Sequence, residues 1–241
     1  MIVAAHQTML APQGGPSSLD YVQDSAFLFF DGIENAGRGT HASTGTTWKN
    51  LAGGPDASAT SGCNATWIDD ALQCNETGAY RVPLSSVTWP SSGMTIEIVF
   101  RQEQYGTWAG RIVQTYDVDY GRIDYYVRNK STGTSDICWG QNGVAYNVSA
   151  LTKAPPIYAT MAIRGYTDQT GASVRVFGST QTYTTSQYPR DKQANFNIGS
   201  NNNLNRGFRG DVCAVRVHSR YLTDAEVDFN AALDRQRFGV T

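Results

Sequence analysis

Long apolar runs are missing from this chain. Across its 241 residues, 40% of them hydrophobic, no stretch approaches the roughly eighteen apolar residues that mark a membrane-spanning helix, so membrane insertion is not expected. Charge is scarce as well: acidic and basic residues make up 17% of the chain and leave a formal net charge of −2. Nothing in that balance draws the protein to nucleic acid or to an anionic bilayer. Lysine occurs only at Lys49, Lys130, Lys153 and Lys192, so arginine supplies most of the 19 basic residues. Its planar fork suits ordered bidentate pairing rather than mere solubility. The three histidines, His6, His41 and His218, are scattered, and no Cys-x-x-Cys pair offers zinc-ligand spacing. There is no Gly-x-Ser-x-Gly elbow and no phosphate-cradling loop, which leaves serine hydrolases and nucleotide-binding units without support.

Cysteine is limited to Cys63, Cys74, Cys138 and Cys213. Cys138 and Cys213 fall in strand-like runs, where a thiol serves as a small apolar residue. Four reduced thiols are expected, with a Cys63–Cys74 bridge as the alternative in an oxidising compartment. The opening "MIVAAHQTMLAPQGGPSSLDYV" lacks the basic start and sustained apolar core of a secretory leader. A protein made and kept inside the cell is therefore expected, the alternative being an extracellular or cell-surface one whose leader was removed. Residues 1–20 turn rich in Pro, Gly and Ser and read as an arm, with one domain over 21–241.

What the chain does have is glycine, tyrosine, threonine and asparagine, the composition of many short strands joined by polar turns. Strand patterns recur near 65–73, 78–82, 94–103, 110–117, 122–128, 135–140, 144–149, 157–164, 172–177, 180–186, 194–199 and 211–218. In "MTIEIVFR", Ile96, Ile98 and Phe100 alternate with Thr95, Glu97, Val99 and Arg101. Ala159, Met161 and Ile163, then Val174 and Val176, repeat the inward pattern. Glu97, Arg101, Arg164, Arg175 and Arg216 share the outward register. If their strands are neighbours, they form either a solvated ladder of ion pairs or an Arg-lined sheet face that docks another subunit or an acidic glycan. A single helix is expected from "LTDAEVDFNAALDRQRF", where Thr223 and Glu226 make a capping box.

The stretch "FNIGSNNNLNRGFRGDVCAVRVHSRYLTDAEV" resembles the closing segment of laminin-G-like domains of the concanavalin A-like lectin/glucanase class. In these, a strand ending in Ile-Gly precedes a Phe-x-Gly turn, a last strand, and an Arg-x-Leu-(Ser/Thr)-x-x-Glu-(Ile/Val) helix start. Ile198, Gly199, Phe208, Gly210, Arg220, Leu222, Thr223, Glu226 and Val227 stand at those positions. "FLFFDGIEN", "MTIEIVFR" and "ASVRVFGS" fit the same template. The resemblance implies an all-β fold, a two-sheet antiparallel jelly-roll sandwich with a short C-terminal helix, preceded here by an extended N-terminal arm. Arg209-Gly210-Asp211 then reads as a turn and strand start rather than an adhesion signal, and the spacing of Val212, Val215 and Val217 predicts a bulge near Val212–Cys213.

The same resemblance implies recognition rather than a fixed chemistry, because the class hosts lectins, glycosidases and virion parts alike. Trp108, Tyr120, Tyr126 and Trp139 are candidate sugar platforms, and Asp117 and Asp119 candidate Ca²⁺ ligands at a rim. The glucanase pattern Glu-x-Asp-x-x-Glu is absent. Glu97 and Glu103 would lie about 20 Å apart on one strand, where glycosidic carboxylates need about 5–10 Å, so no catalytic pair is recognised. The expected role is a non-enzymatic recognition or assembly module, a virion (phage) surface or structural component with a lectin-like, glycan-binding domain. It would contact glycans or neighbouring subunits, with homo-oligomers held through residues 1–20 or the Arg-lined face. The alternatives are a bacterial cell-surface or secreted carbohydrate-binding module and a glycoside hydrolase on the same fold.

Overall fold

Period-two alternation makes the central apolar run a strand buried on both sides. In β7 (Met94–Gln102), Ile96, Ile98 and Phe100 enter the main core, while Val99 packs into a separate cluster on the opposite face. The structure is a computed structural model and describes residues 15–86, 90, 93–104, 110–116, 123–129, 135–141, 144–147, 155–165, 172–183 and 195–241. One sheet runs β14 (Ser179–Tyr183), β13 (Ala172–Val176), β12 (Ile157–Gly165), β7, β16 (Arg209–His218), β5 (Ala71–Asn75) and β4 (Thr66–Ile68). β1 (Ala26–Asp31) lies beside the C-terminal half of β16. The other runs β11 (Val144–Asn147), β10 (Ser135–Gln141), β9 (Ile123–Asn129), β8 (Gly110–Tyr116), β15 (Asn195–Ile198), β6 (Tyr80–Pro83), β3 (Ala57–Ala59) and β2 (Thr47–Trp48). Every ladder between these strands is antiparallel. The inner faces meet in one apolar core that includes Phe30, Trp48, Met161, Val174, Phe196 and Val215, the packing of a two-layer sandwich.

The strand expected over 65–73 is a hairpin, β4 and β5 turned at Asp69-Asp70. The polar stretch at 38–62 contributes β2 and β3 to the edge of the second sheet. Trp48 anchors it: the ring sits 4.9 Å from Trp67, and Nε1 donates to the Asp31 carbonyl at 2.9 Å. Cys63 and Cys74 are separate thiols, and burial pushes both upward in pKa.

The C-terminal segment folds as its spacing requires. Phe208 is buried against Phe100, ring centroids 6.4 Å apart and edge to face. Gly210 adopts φ 147°, and a Cβ there would stand 2.4 Å from the Arg101 carbonyl oxygen, so the close crossing of chains needs glycine. Between Val212 and Ala214 the register to β7 shifts, placing the bulge at Cys213 and returning Val215 and Val217 to the core. Helix α1 (Asp224–Phe238) starts on Thr223 with both capping-box bonds made and stops on Gly239 in the left-handed region. Among the described residues no helix is long and apolar enough to cross a membrane.

Most of the Arg-lined outer face is not a solvated ladder: the chain's own helix and N-terminal segment cover Glu97, Arg164, Arg175 and Arg216, whereas Arg101 lies beyond them. Arg216 is fully buried and gives Nε to Glu97 at 2.8 Å and both Nη atoms to Asp234 of α1 at 2.8 and 2.6 Å. Asn230 donates to the same Glu97 oxygen at 2.9 Å, and Thr160 and the Tyr21 hydroxyl donate to Asp234. Arg164 pairs with Asp224, and Arg175 with Asp224 and Asp228. The Tyr21 ring lies 4.3 Å under the Arg216 guanidinium. Residues 16–20, assigned from sequence to the arm, are tied down: Ser18 donates to Glu34, and the Pro16 carbonyl accepts from Arg237.

Two outcomes follow from a buried cation shared by two carboxylates. Replacing Arg216 by Leu should destabilise the fold by about 3–5 kcal/mol in urea unfolding, since Glu97 and Asp234 would stay buried without their cation. The exposed Arg209→Ala change should cost less than about 0.5 kcal/mol; equal effects would contradict the network. Burial alone would raise the Glu97 carboxyl, but Arg216 and His218 overcome it and hold the group down to about 2. A depressed carboxylate stabilises the fold above its unfolded value of 4.5, and that contribution is lost as pH falls toward about 2. Denaturant midpoints should therefore drop across that window more steeply in the wild type than in Glu97→Gln.

Candidate functional site

α1 shields only part of the outer face of its sheet. Beyond its end, where β4, β5, β16 and β7 run side by side, polar side chains line up in one cross-sheet row. Thr66 is opposite Gln73, Gln73 opposite Asp211, Asp211 opposite Arg101, and Arg101 opposite Tyr158. The alternation that sends Phe100 and Val212 inward turns Arg101 and Asp211 outward. The tight β4–β5 turn then brings Asp70 over the row.

Arg101 is the hub of this corner. Its Nη1 and Nη2 donate to the two oxygens of Asp70 at 2.8 and 2.7 Å, a bidentate fork, and its Nε lies 3.2 Å from Asp211. Burial works against the guanidinium charge, and the hydrogen bonds it donates to Asp70 more than offset it, so the group is held firmly protonated. Burial pushes the Asp211 carboxyl up against the pull of Arg101, and neighbouring Glu103 and Asp70 add to the rise. Glu103 accepts from the Tyr158 hydroxyl at 3.0 Å, and Arg209 donates to Gln104 at 3.1 Å.

Two adjoining depressions open here. One, of about 350 Å³, is walled by Gln73, Cys74, Asn75, Glu103, Gln104, Arg209, Gly210 and Asp211. The second, of about 590 Å³, is walled by Trp67, Ile68, Asp69, Asp70, Arg101, Glu103 and Asp211. Glu103 and Asp211 border both, so the two adjoin as one shallow, open groove. Carboxylates present acceptors only and side-chain amides present both donors and acceptors, a set matched to hydroxyl groups. Among the described residues no three His, Cys, Asp or Glu side chains converge to hold a metal ion.

The residues singled out from sequence are distributed differently. Trp108, Asp117, Asp119 and Tyr120 lie outside the described residues, and so does the side chain of Trp139, whose backbone pairs with Tyr125 and Tyr146 in β10. Tyr126 is only 8% exposed, with the Arg111 guanidinium 4.6 Å above its ring, so it offers no open platform. Glu97 is fully buried beneath α1 while Glu103 borders the groove, and the two cannot flank one glycosidic bond. Sequence reasoning missed the groove. The signals were present in the Asp69-Asp70 turn and the outward Arg101, but only the strand order β7–β16–β5–β4 puts them together.

Among curated proteins no sequence matches the chain significantly. Solved structures similar in fold include Trypanosoma rangeli sialidase in complex with sialic acid (TM-score 0.61, 14% identity, covering 90% of this chain and 34% of that one). The ligand-binding domain of botulinum neurotoxin serotype D in complex with N-acetylneuraminic acid is similar too (TM-score 0.61, 9% identity, 88% of this chain and 51% of that one). A third is domain 4 of AbnA, an extracellular arabinanase from Geobacillus stearothermophilus, in complex with arabinotriose (TM-score 0.50, 16% identity, 73% of this chain and 81% of that one). This chain spans about a third of the length of the sialidase chains. At these identities the likeness is one of fold. The laminin-G family model described as the concanavalin A-like lectin/glucanases superfamily matches residues 76–228, from the end of β5 into α1, and the chain belongs to that family.

Proposed function

We propose that this protein is a carbohydrate-recognition module that binds saccharide in the groove at the β4–β5–β16–β7 corner. The observation that carries this reading is the groove itself: exposed amides and carboxylates, with the edge of Trp67 and Ile68, gathered on the part of the sheet that α1 leaves open. A few convergent polar groups beside apolar surface fix a ligand's orientation in such sites. Structural neighbours with sugars bound support the reading. Trp108 is proposed as a further residue that contacts the saccharide. The finer role, a virion surface or structural component assembled through its arm, is proposed as a scaffold for this module and is tested separately by deleting residues 1–14 and measuring self-association.

Isothermal titration against a panel of oligosaccharides should detect binding. Gln73→Ala/Asn75→Ala, which removes two exposed groove amides, should weaken it about tenfold, the loss of one or two hydrogen bonds, with the unfolding midpoint lowered only slightly by the loss of their bonds to Asp211 and the Asn64 carbonyl. Trp108→Ala should weaken it by a similar factor. Release of shorter sugars from a polysaccharide, abolished by Glu103→Gln, would replace the binding reading with a hydrolase.

A further inference from the structure

We propose that the groove is selective for saccharides without negative charge and rejects acidic sugars such as N-acetylneuraminic acid. The inference rests on the carbohydrate-binding reading and deepens it by naming the class of sugar.

Charge in the groove decides the matter. Asp69, Asp70, Glu103 and Asp211 line it, against two guanidinium groups, Arg101 and Arg209. An arginine is the side chain best suited to grip a sugar carboxylate, through its bidentate fork, yet the fork of Arg101 already holds both oxygens of Asp70, and its Nε faces Asp211. A ligand carboxylate would have to displace those partners and then remain beside them. Arg209 is exposed and hydrogen-bonded to neutral Gln104, with Glu103 in the same wall. One like-charge contact at about 4 Å lowers affinity about fivefold at water-like screening, and more where the site is partly desolvated.

Hydroxyl groups meet no such opposition. The lone pairs of Asp69 and Glu103 accept from sugar O–H groups, and the amides of Gln73 and Asn75 both donate and accept. An uncharged sugar is therefore satisfied by the groups present without breaking the Arg101 cluster. Its binding should also depend little on ionic strength, because no net charge is transferred into the groove.

The test compares lactose with sialyllactose, which differ only in the acidic sugar, and adds arabinotriose and free N-acetylneuraminic acid, each titrated into the full chain. The uncharged sugars should bind at least about tenfold more tightly than the acidic ones. Asp69→Lys/Glu103→Lys, two exposed positions, should shift that ratio at least about tenfold toward the acidic sugars, with unfolding midpoints confirming that the variant is folded. Tighter binding of the acidic sugars by the wild type, or a ratio unmoved by the charge reversal, overturns the selectivity while leaving sugar binding intact. Failure of every sugar to bind overturns both.

Discussion

A single buried arginine determines how much of this molecule is covered and how much is left open. Arg216, on the strand that closes the sandwich, bridges Glu97 of the neighbouring strand and Asp234 of the C-terminal helix, with Tyr21 stacked beneath. Burying a cation is costly unless it is paired and hydrogen-bonded, and here two carboxylates meet that need. The pairing fixes the helix over one region of the outer sheet face. It also draws the N-terminal segment against the same face, since Tyr21 donates to Asp234 and Arg237 bridges Asp31 to the Pro16 carbonyl. A polar groove remains where the helix does not reach.

Much of the sandwich was legible in the sequence because its inner faces follow a simple period. Ile96, Ile98 and Phe100, or Ala159, Met161 and Ile163, recur at every second position, and a two-residue repeat points one set of side chains in each strand to the core. The C-terminal signature was equally clear, since Phe208, Gly210 and the Thr223–Glu226 box each answer a local requirement: a plug, a close backbone approach and a helix start. The bulge at Cys213 followed from a break in spacing.

The outer face was harder to read. Alternation says that Glu97, Arg164 and Arg216 point away from the core, but not what lies above them. The inward positions of α1 are Val227, Asn230, Asp234 and Phe238. With two polar residues among the four, the helix lacks the apolar stripe that would announce a docking face. Its attachment is largely ionic and polar and depends on partners scattered along the chain, from Arg216, 18 residues before Asp234, to Glu97, 133 residues before Asn230. The groove escaped notice for a related reason, since Asp70, Arg101 and Asp211 come from three separate elements. Tyr126 shows the limit of choosing sugar platforms by residue type alone, since the Arg111 guanidinium lies over its ring.

The fold thus divides one sheet face into a clamped region that supplies stability and an open region that supplies hydrogen-bonding groups. The most direct test is to map amide chemical-shift changes on an isotopically labelled chain as a bound oligosaccharide is titrated in. The account predicts changes concentrated at Gln73, Asn75, Glu103, Gln104 and Arg209, with Asp224–Phe238 unmoved. Changes centred on the helix, or on the outer face of the opposite sheet with the groove silent, would contradict it.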